Sequence, residues 1–433
     1  MKIDLCRMKR GHFVLLPTFQ CNITCDHCLH ASGPHRSETM ELGLFESILC
    51  QAMDIGFTTL CLSGGEPFLL PEHVRTAAAL CRHRKCALVI QTNGFWGKNR
   101  GAAGSLLASM PGISQLGFSV DGAHLKFLGY DTYFGAIDAA YAQGISNLSI
   151  SIAYGEKAEY ERIKENLLQS FPGLAITGWP IQPIGRGQQK QTLNFQEGPF
   201  SWECLPRNCD IQKTFSPVVH PDGSLHGCYH AVMALEAKDP LILGNLGHHS
   251  LKELMGAVNN RLLFFLMGHG GGGLGYLIKD TYVGKKMFGK YIDVCHFCHD
   301  LLSDKETLSY VQDLLGTGIL DARLTHGLSY ACRENKASKT NWAEEILICQ
   351  GRSCSKNRQN AVITNYLRNR LVETGKRGMV ELSPIDCLNN CDNGPNLFLT
   401  QAHTLIPSLT REKIDCFVDQ LPGPDIPPEI HEN

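Results

Sequence analysis

No stretch of this 433-residue chain reaches the roughly 18 apolar residues that a membrane-spanning helix needs. The nearest approach, Leu262 to Met267, is cut off by glycines. A secretory signal is missing too, because the apolar stretch from Phe13 is interrupted by Pro17 and is too short for a signal-peptide core. Excess charge is also absent. The formal net charge is −2 and basic residues are scattered, which leaves no electrostatic footprint for nucleic acid or an anionic lipid surface. These absences point to a small molecule or a peptide as partner, and to the cytoplasm.

Cysteine, in contrast, is abundant, at 19 residues. A cytoplasmic chain keeps its thiols reduced, so metal or cluster ligation is the expected use. The cysteines bunch at 21–28, 204–228, 295–298, 349–354 and 387–391. The first bunch lies in Thr18-Phe-Gln-Cys-Asn-Ile-Thr-Cys-Asp-His-Cys28, a C-x3-C-x2-C pattern just after the apolar run Phe13 to Leu16. A cubane iron–sulfur cluster takes four ligands, and here only three thiolates converge. One iron is then open to something that is not protein, the mark of a centre that does chemistry. A structural zinc knuckle completed by His27 or His30 is the alternative reading of the same residues.

Strand-like apolar runs recur at Phe13–Leu16, Thr58–Leu62, Ala87–Gln91, Gln115–Val120, Asn147–Ala153 and Leu174–Gln182, with helix-period stretches between most of them. In one, Phe45, Ile48, Leu49, Ala52 and Ile55 follow a 3.6-residue spacing. Alternating strand and helix predicts parallel strands with crossover helices, closing as a full or partial α/β barrel. Chemistry in such barrels sits at the C-terminal strand ends. Unusual residues follow the first four strands: the three cysteines, then Ser63-Gly64-Gly65-Glu66-Pro67, then Thr92-Asn93-Gly94, then Asp121-Gly122. Paired glycines let a ligand approach bare backbone, and a carboxylate beside them can receive an ammonium group.

Cys21, Cys25 and Cys28 together with Gly64-Gly65-Glu66-Pro67 resemble the radical S-adenosylmethionine superfamily. The resemblance implies a partial (β/α)6 barrel over 11–200. It implies a 4Fe–4S cluster on the three cysteines whose open iron takes the cofactor's amino and carboxylate groups. One electron then cleaves S-adenosylmethionine to a 5′-deoxyadenosyl radical that abstracts hydrogen from carbon. By the same resemblance Glu66 and the neighbouring backbone would hold the methionine amino group, with Asn93, Ser119 and Asp121 as further cofactor contacts. Arg186, in the Gly185-Arg186-Gly187 turn, is a candidate to line the cavity. The position before the third cysteine, often aromatic in the superfamily, is His27 here.

Further on, Pro221-Asp222-Gly223 between apolar runs signals a hairpin that places Cys228 on the returning strand, followed much later by Cys295-His296-Phe297-Cys298. With Cys209 or Cys204 these form a closed four-ligand set that suits zinc or a cluster. The segment 201–302 resembles the twitch or SPASM extension of radical enzymes, which implies an auxiliary 4Fe–4S cluster on Cys209, Cys228, Cys295 and Cys298. Cys204 is left as a spare thiol, with hydrogen-atom donation or substrate contact as its sharper role. The tract Gly268 to Gly275 reads as a flexible loop beside that site.

After a linker, 303–343, the strand Glu345–Ile348 leads into Cys349 and Cys354, and Cys387 and Cys391 follow a second strand. A helix between them is expected to turn Val362, Tyr366, Leu367 and Leu371 to one face. The segment 344–425 resembles the thioredoxin-like 2Fe–2S ferredoxins, down to Gly394-Pro395 after the last cysteine, and so implies a 2Fe–2S cluster. The whole then reads as a three-domain enzyme that draws electrons from a flavodoxin- or ferredoxin-type donor and passes a second substrate electron to the auxiliary cluster. Oxidative modification or cross-linking of a peptide side chain is the expected outcome. Oxidation of a small-molecule alcohol or amine, such as an aminocyclitol, is the rival, which the single closed auxiliary site fits and which the short stretch before the first strand, with no room for the peptide-recognition domain common in peptide-modifying relatives, leads one to expect. A non-catalytic electron carrier is the reading from another class.

Overall fold

Strand β1 (Phe13–Leu15) is apolar on both faces because it is covered on both faces, with Phe13 and Leu15 fully buried. The computed structural model describes residues 4–189, 200–201, 209, 211, 214–229, 235, 238–256, 258–278, 281–287, 290–316, 344–349, 359–374, 376, 380–385, 397–399, 404–406 and 409–421. They divide into two compact units, Met1–Gln312 and Asp313–Asn433.

In the first unit β1 is followed by α1 (Leu42–Asp54), β2 (Thr59–Leu62), α2 (Pro71–Arg84), β3 (Ala87–Thr92), α3 (Arg100–Ala108), β4 (Gln115–Ser119), α4 (Gly122–Ala142), β5 (Leu148–Tyr154), α5 (Lys157–Ser170) and β6 (Ala175–Pro180). The six strands lie side by side in chain order, all parallel, which is the arrangement expected of a (β/α)6 sheet. Helix α1 buries Phe45, Ile48, Leu49, Ala52 and Met53, an i, i+3, i+4, i+7, i+8 stripe. Its start is capped by the Glu41 carboxylate, which accepts from Leu44 N at 2.9 Å. Phe45, Ile48 and Leu49 are fully buried, each contributing about 1.5–3 kcal/mol of apolar transfer.

The middle segment extends the same sheet. Strands β8 (Val218–Val219) and β9 (Ser224–His226) form the expected hairpin over Pro221-Asp222-Gly223, and Gly223 takes the left-handed φ of +84° that the turn requires. Strand β8 pairs in parallel with the outer edge of β1, and β10 (Ile242–Asn245) closes the sheet beyond β9. A short pair, β7 (Phe200–Ser201) and β11 (Lys290–Tyr291), lies apart. Helices α6 (Leu251–Gly256), α7 (Arg261–Ile278), α8 (Tyr282–Met287), α9 (Val294–Ser303) and α10 (Lys305–Gly316) complete the segment.

The glycine tract expected as a loop is helical, lying within α7 with a kink at Gly270, φ +65°. Glycine in a helix costs about 1 kcal/mol relative to alanine. The tract stays helical because close packing on α9 needs residues without side chains. A Cβ on Gly271 would stand 2.2 Å from Cys298 Sγ, and one on Gly275 would stand 3.2 Å from the Phe297 ring.

The second unit contains β12 (Glu344–Cys349), α11 (Gln359–Glu373), β13 (Val380–Ile385), β14 (Leu397–Leu399), β15 (Thr404–Ile406) and α12 (Arg411–Gln420). The sheet order β13-β12-β14-β15, with β12 and β13 parallel and β14 antiparallel to both β12 and β15, is the thioredoxin-like arrangement expected. Its core joins Ile348, Leu367, Leu371, Leu397, Ile414 and Val418. Val362 is 54% exposed, so it is off the packed face of α11, and Ile363 packs on that core instead. The four cysteines predicted to hold a 2Fe–2S cluster lie outside the described residues: Cys354, Cys387 and Cys391 altogether, and the Cys349 side chain at the end of β12.

Candidate functional site

Strand β1 delivers the chain into the loop that carries Cys21, Cys25 and Cys28, and three turns brace that loop from the ends of β2, β3 and β4. Cys21 and Cys25 are buried, and with Ile23 they form one cluster against which Cys28, Ala123 and Leu128 pack. Burial, together with the nearby Glu66 and Cys28, pushes the Cys21 thiol up to about 11. Burial, then the charges of Asp121, Cys28 and Cys21, push Cys25 well above the ordinary thiol range. Two buried thiols that resist ionisation in this way, with Cys28 packed against them, form a donor set suited to a strongly positive partner, since bound metal reverses that preference. The residues present therefore fit an iron–sulfur cluster held by three cysteines.

The turn after β2 packs directly on this loop. Gly65 N donates to Thr18 O at 2.8 Å and Glu66 N to Gln20 O at 2.9 Å. A Cβ on Gly64 would fall 2.5 Å from Thr18 O, and one on Gly65 only 1.9 Å from Gln20 O. On the side where a Cβ would project, both glycines are packed against the cysteine loop, a close approach that only glycine allows. Gly64, at φ +116°, additionally needs the left-handed region.

Glu66 is fully buried. Its carboxylate accepts from Phe68 N at 3.0 Å, the Thr92 hydroxyl at 2.8 Å and Asn93 N at 2.7 Å, which ties the turn after β2 to the turn after β3. Burial pushes its carboxyl up to about 7 despite those three donors. Pro67 opens the 3-10 turn that Glu66 caps. Asn93 in turn donates Nδ2 to Asn22 Oδ1 at 2.8 Å and lies 3.6 Å from Cys21 Sγ. The Ser119 carbonyl accepts from Tyr133 OH at 3.0 Å.

Asp121 is 2% exposed and caps α4 by accepting from His124 N at 3.1 Å. Its two carboxylate oxygens also lie 3.3 Å from His27 Nε2 and 2.8 Å from His124 Nδ1. Burial disfavours the charge, yet His124 and His27 outweigh it and hold the carboxyl well below its ordinary value. Arg186 sets its guanidinium on carbonyls of the cysteine loop.

The second thiol set converges as well. Cys209, Cys228, Cys295 and Cys298 line one small cavity with Ile211, Leu266 and Val294. Burial, reinforced by Cys209, Cys295 and Cys228, raises the Cys298 thiol well above its ordinary value. Four thiols around an apolar cavity fit a fully ligated cluster or zinc. Cys204 lies outside the described residues.

No protein-family model matches the sequence. The chain is similar to YydG. That protein of Bacillus subtilis (strain 168), named for peptide biosynthesis, is 20% identical over 298 residues, which span 67% of this chain and 92% of that one. Among solved structures, native anSMEcpe with bound AdoMet and Cp18Cys peptide is 17% identical at a TM-score of 0.45, covering 70% of this chain and 97% of that chain. Streptococcus suis SuiB bound to S-adenosylmethionine is 14% identical at a TM-score of 0.37, covering 60% and 68%. BtrN in complex with AdoMet and 2-DOIA is 16% identical at a TM-score of 0.37, covering 61% and 89%.

Sequence reasoning named Thr92 only as part of a strand-end turn and passed over His124 and the role of Asn22, all of which the structure brings into the bracing network. His124 had a local signal, because a residue three positions after an Asp N-cap returns to that cap. Thr92 and Asn22 had none, since their partners are 26 and 71 positions away.

Proposed function

We propose that the protein is a radical S-adenosylmethionine enzyme that oxidatively modifies or cross-links a peptide side chain. One observation carries this reading: the thiols of Cys21 and Cys25, both buried, and of the partly buried Cys28 converge in one cluster on a loop braced by the Gly64–Glu66 turn. Those three would hold a 4Fe–4S cluster with one iron left for S-adenosylmethionine, and Cys209, Cys228, Cys295 and Cys298 would hold an auxiliary 4Fe–4S cluster. When bound, these groups supply a carbon-centred radical for hydrogen abstraction and an acceptor for the second electron of an oxidation.

The chain's own residues hold the site in place. Ile23, Ala123 and Leu128 exclude water around the thiols, Asn93 braces Cys21, and Asp121 fixes the ring of His27 beside Cys28. Cofactor contacts would come from backbone at the β2 and β4 strand ends, because the Glu66 and Asp121 carboxylates are engaged within the chain. The similarity to a protein named for peptide biosynthesis supports a peptide as substrate. Cys349, Cys354, Cys387 and Cys391 would hold a 2Fe–2S cluster that exchanges electrons with a flavodoxin- or ferredoxin-type donor.

The test is anaerobic. Reconstituted, reduced protein given S-adenosylmethionine should release 5′-deoxyadenosine, and Cys21→Ala should not. Equal silence from both proteins, with clusters present, would sink the enzyme reading. Deuterium transfer into 5′-deoxyadenosine from labelled peptides, against labelled polyols, separates the two substrate classes.

A further inference from the structure

The Arg186 guanidinium donates from Nη1 to Cys25 O at 2.6 Å and from Nη2 to Ser32 O at 2.5 Å. Its backbone N donates to Cys28 O at 3.0 Å. Three carbonyls of the cysteine loop thus end on one residue that lies more than 150 positions downstream, at separations of 161 for Cys25 and 154 for Ser32. The preceding residue presses on the same backbone. A Cβ on Gly185 would stand 2.1 Å from Leu29 O and 2.6 Å from Cys28 O, and its φ of +61° is left-handed. No carboxylate pairs with Arg186 among the described residues, so its charge is directed at the loop.

We propose that Gly185 and Arg186 form a clasp that holds the three-cysteine loop closed, with the Arg186 charge set against Cys25. Arg186 is then a positioning residue, where the sequence had offered it as a lining of the cofactor cavity or as a surface residue. A guanidinium meets the two carbonyls with two separate nitrogens held in one plane, a spacing that the single nitrogen of an ammonium does not supply. Its positive charge also favours electron gain at a cluster on these thiols; that second half rests on the cluster reading, and the first does not.

Two measurements on the full chain separate the halves. In iron-free, reduced protein, iodoacetamide labelling of Cys25 and Cys28 is followed by peptide-resolved mass spectrometry, with the buried Cys61 and Cys81 as internal references. Arg186→Met, Arg186→Lys and Gly185→Ala should each speed labelling of Cys25 and Cys28 roughly tenfold while Cys61 and Cys81 stay at the parent rate. In reconstituted protein, Arg186→Met should move the cluster potential to more negative values by about 59 mV, a tenfold loss in a one-electron equilibrium. Arg186→Lys, which keeps the charge, should stay near the parent potential. Parent-like labelling in Arg186→Met, or labelling that rises equally at Cys61 and Cys81, overturns the clasp. A parent protein that takes up no cluster overturns the cluster reading, and the labelling arm still decides the clasp.

Discussion

Replacing Gly65 with alanine adds a single methyl group, yet the structure leaves it no room. Its Cβ would stand 1.9 Å from Gln20 O, 2.5 Å from Gln20 C and 2.8 Å from Phe19 C, all backbone atoms. No rotamer change relieves such a contact, so the two loops must separate. Separation breaks the Gly65 N to Thr18 O and Glu66 N to Gln20 O bonds, each worth about 0.5–1.5 kcal/mol. Residual strain from overpacking adds about 1–3 kcal/mol. The expected loss is therefore about 2–6 kcal/mol, confined to the cysteine loop and the turn after β2. Gly104→Ala is the matched control, because nothing lies within 4 Å of its added Cβ inside α3. That control should be neutral or gain about 1 kcal/mol of helix propensity. Urea denaturation followed by far-ultraviolet circular dichroism, paired with iodoacetamide labelling of Cys21, reads both effects. A Gly65→Ala protein whose stability and Cys21 labelling both match the parent would refute the packing argument.

Glu66→Gln should destabilise by about 1–3 kcal/mol for each bond it spoils, because an amide nitrogen would face the donors Phe68 N, Thr92 OH or Asn93 N; parent-like urea midpoints would count against it. Gly271→Ala drives a methyl to 2.2 Å from Cys298 Sγ and 2.6 Å from Val294 Cγ2. It should abolish the auxiliary share of bound iron while leaving Cys21 labelling untouched, and full iron uptake would contradict it. Burial, with the neighbouring His226 and His30, pushes His220 down to about 2, and burial, with Arg36 and His226, pushes His30 down to about 4. Unfolded histidine titrates near 6.5. The unfolded chain therefore binds more protons as pH falls below about 6.5, and each ring withdraws up to about 1.4 kcal/mol of stability per pH unit. His220→Phe should flatten the acid limb by one histidine's share between about pH 6 and 4, measured against the parent so that Glu66, shifted upward, cancels. An unchanged slope would show that His220 protonates freely in the fold.

Strands β1 to β4 were legible because strands largely buried on both faces leave near-continuous apolar runs, β5 and the mostly exposed β6 through their alternation with helical stretches, and the observed boundaries fall within about two residues of those runs. The thiol sets were legible because ligand spacing is a local property of sequence. What escaped is tertiary in origin. The helical glycine tract runs against local propensity and is explained only by its contacts with Cys298, Val294 and Phe297. Gly64 and Gly65 look the same whether they admit a ligand or another segment of chain. The role of Arg186 was hidden because its acceptors are carbonyls, which carry no side-chain signature.

Strand β1 is bonded on both flanks, to β2 on one side and to β8 on the other through Gly11 N to Phe215 O, Val14 N to Pro217 O and Leu16 N to Val219 O. The middle segment is thus the outer wall of the strand that carries the three-cysteine loop, not an accessory that could be detached. A shortened protein ending near residue 200 would leave that strand with an open, apolar edge, a template for pairing with other chains. The cysteine hairpin and the cysteine loop therefore depend structurally on the same strand. Transplanting either into a different scaffold means transplanting the shared strand with it.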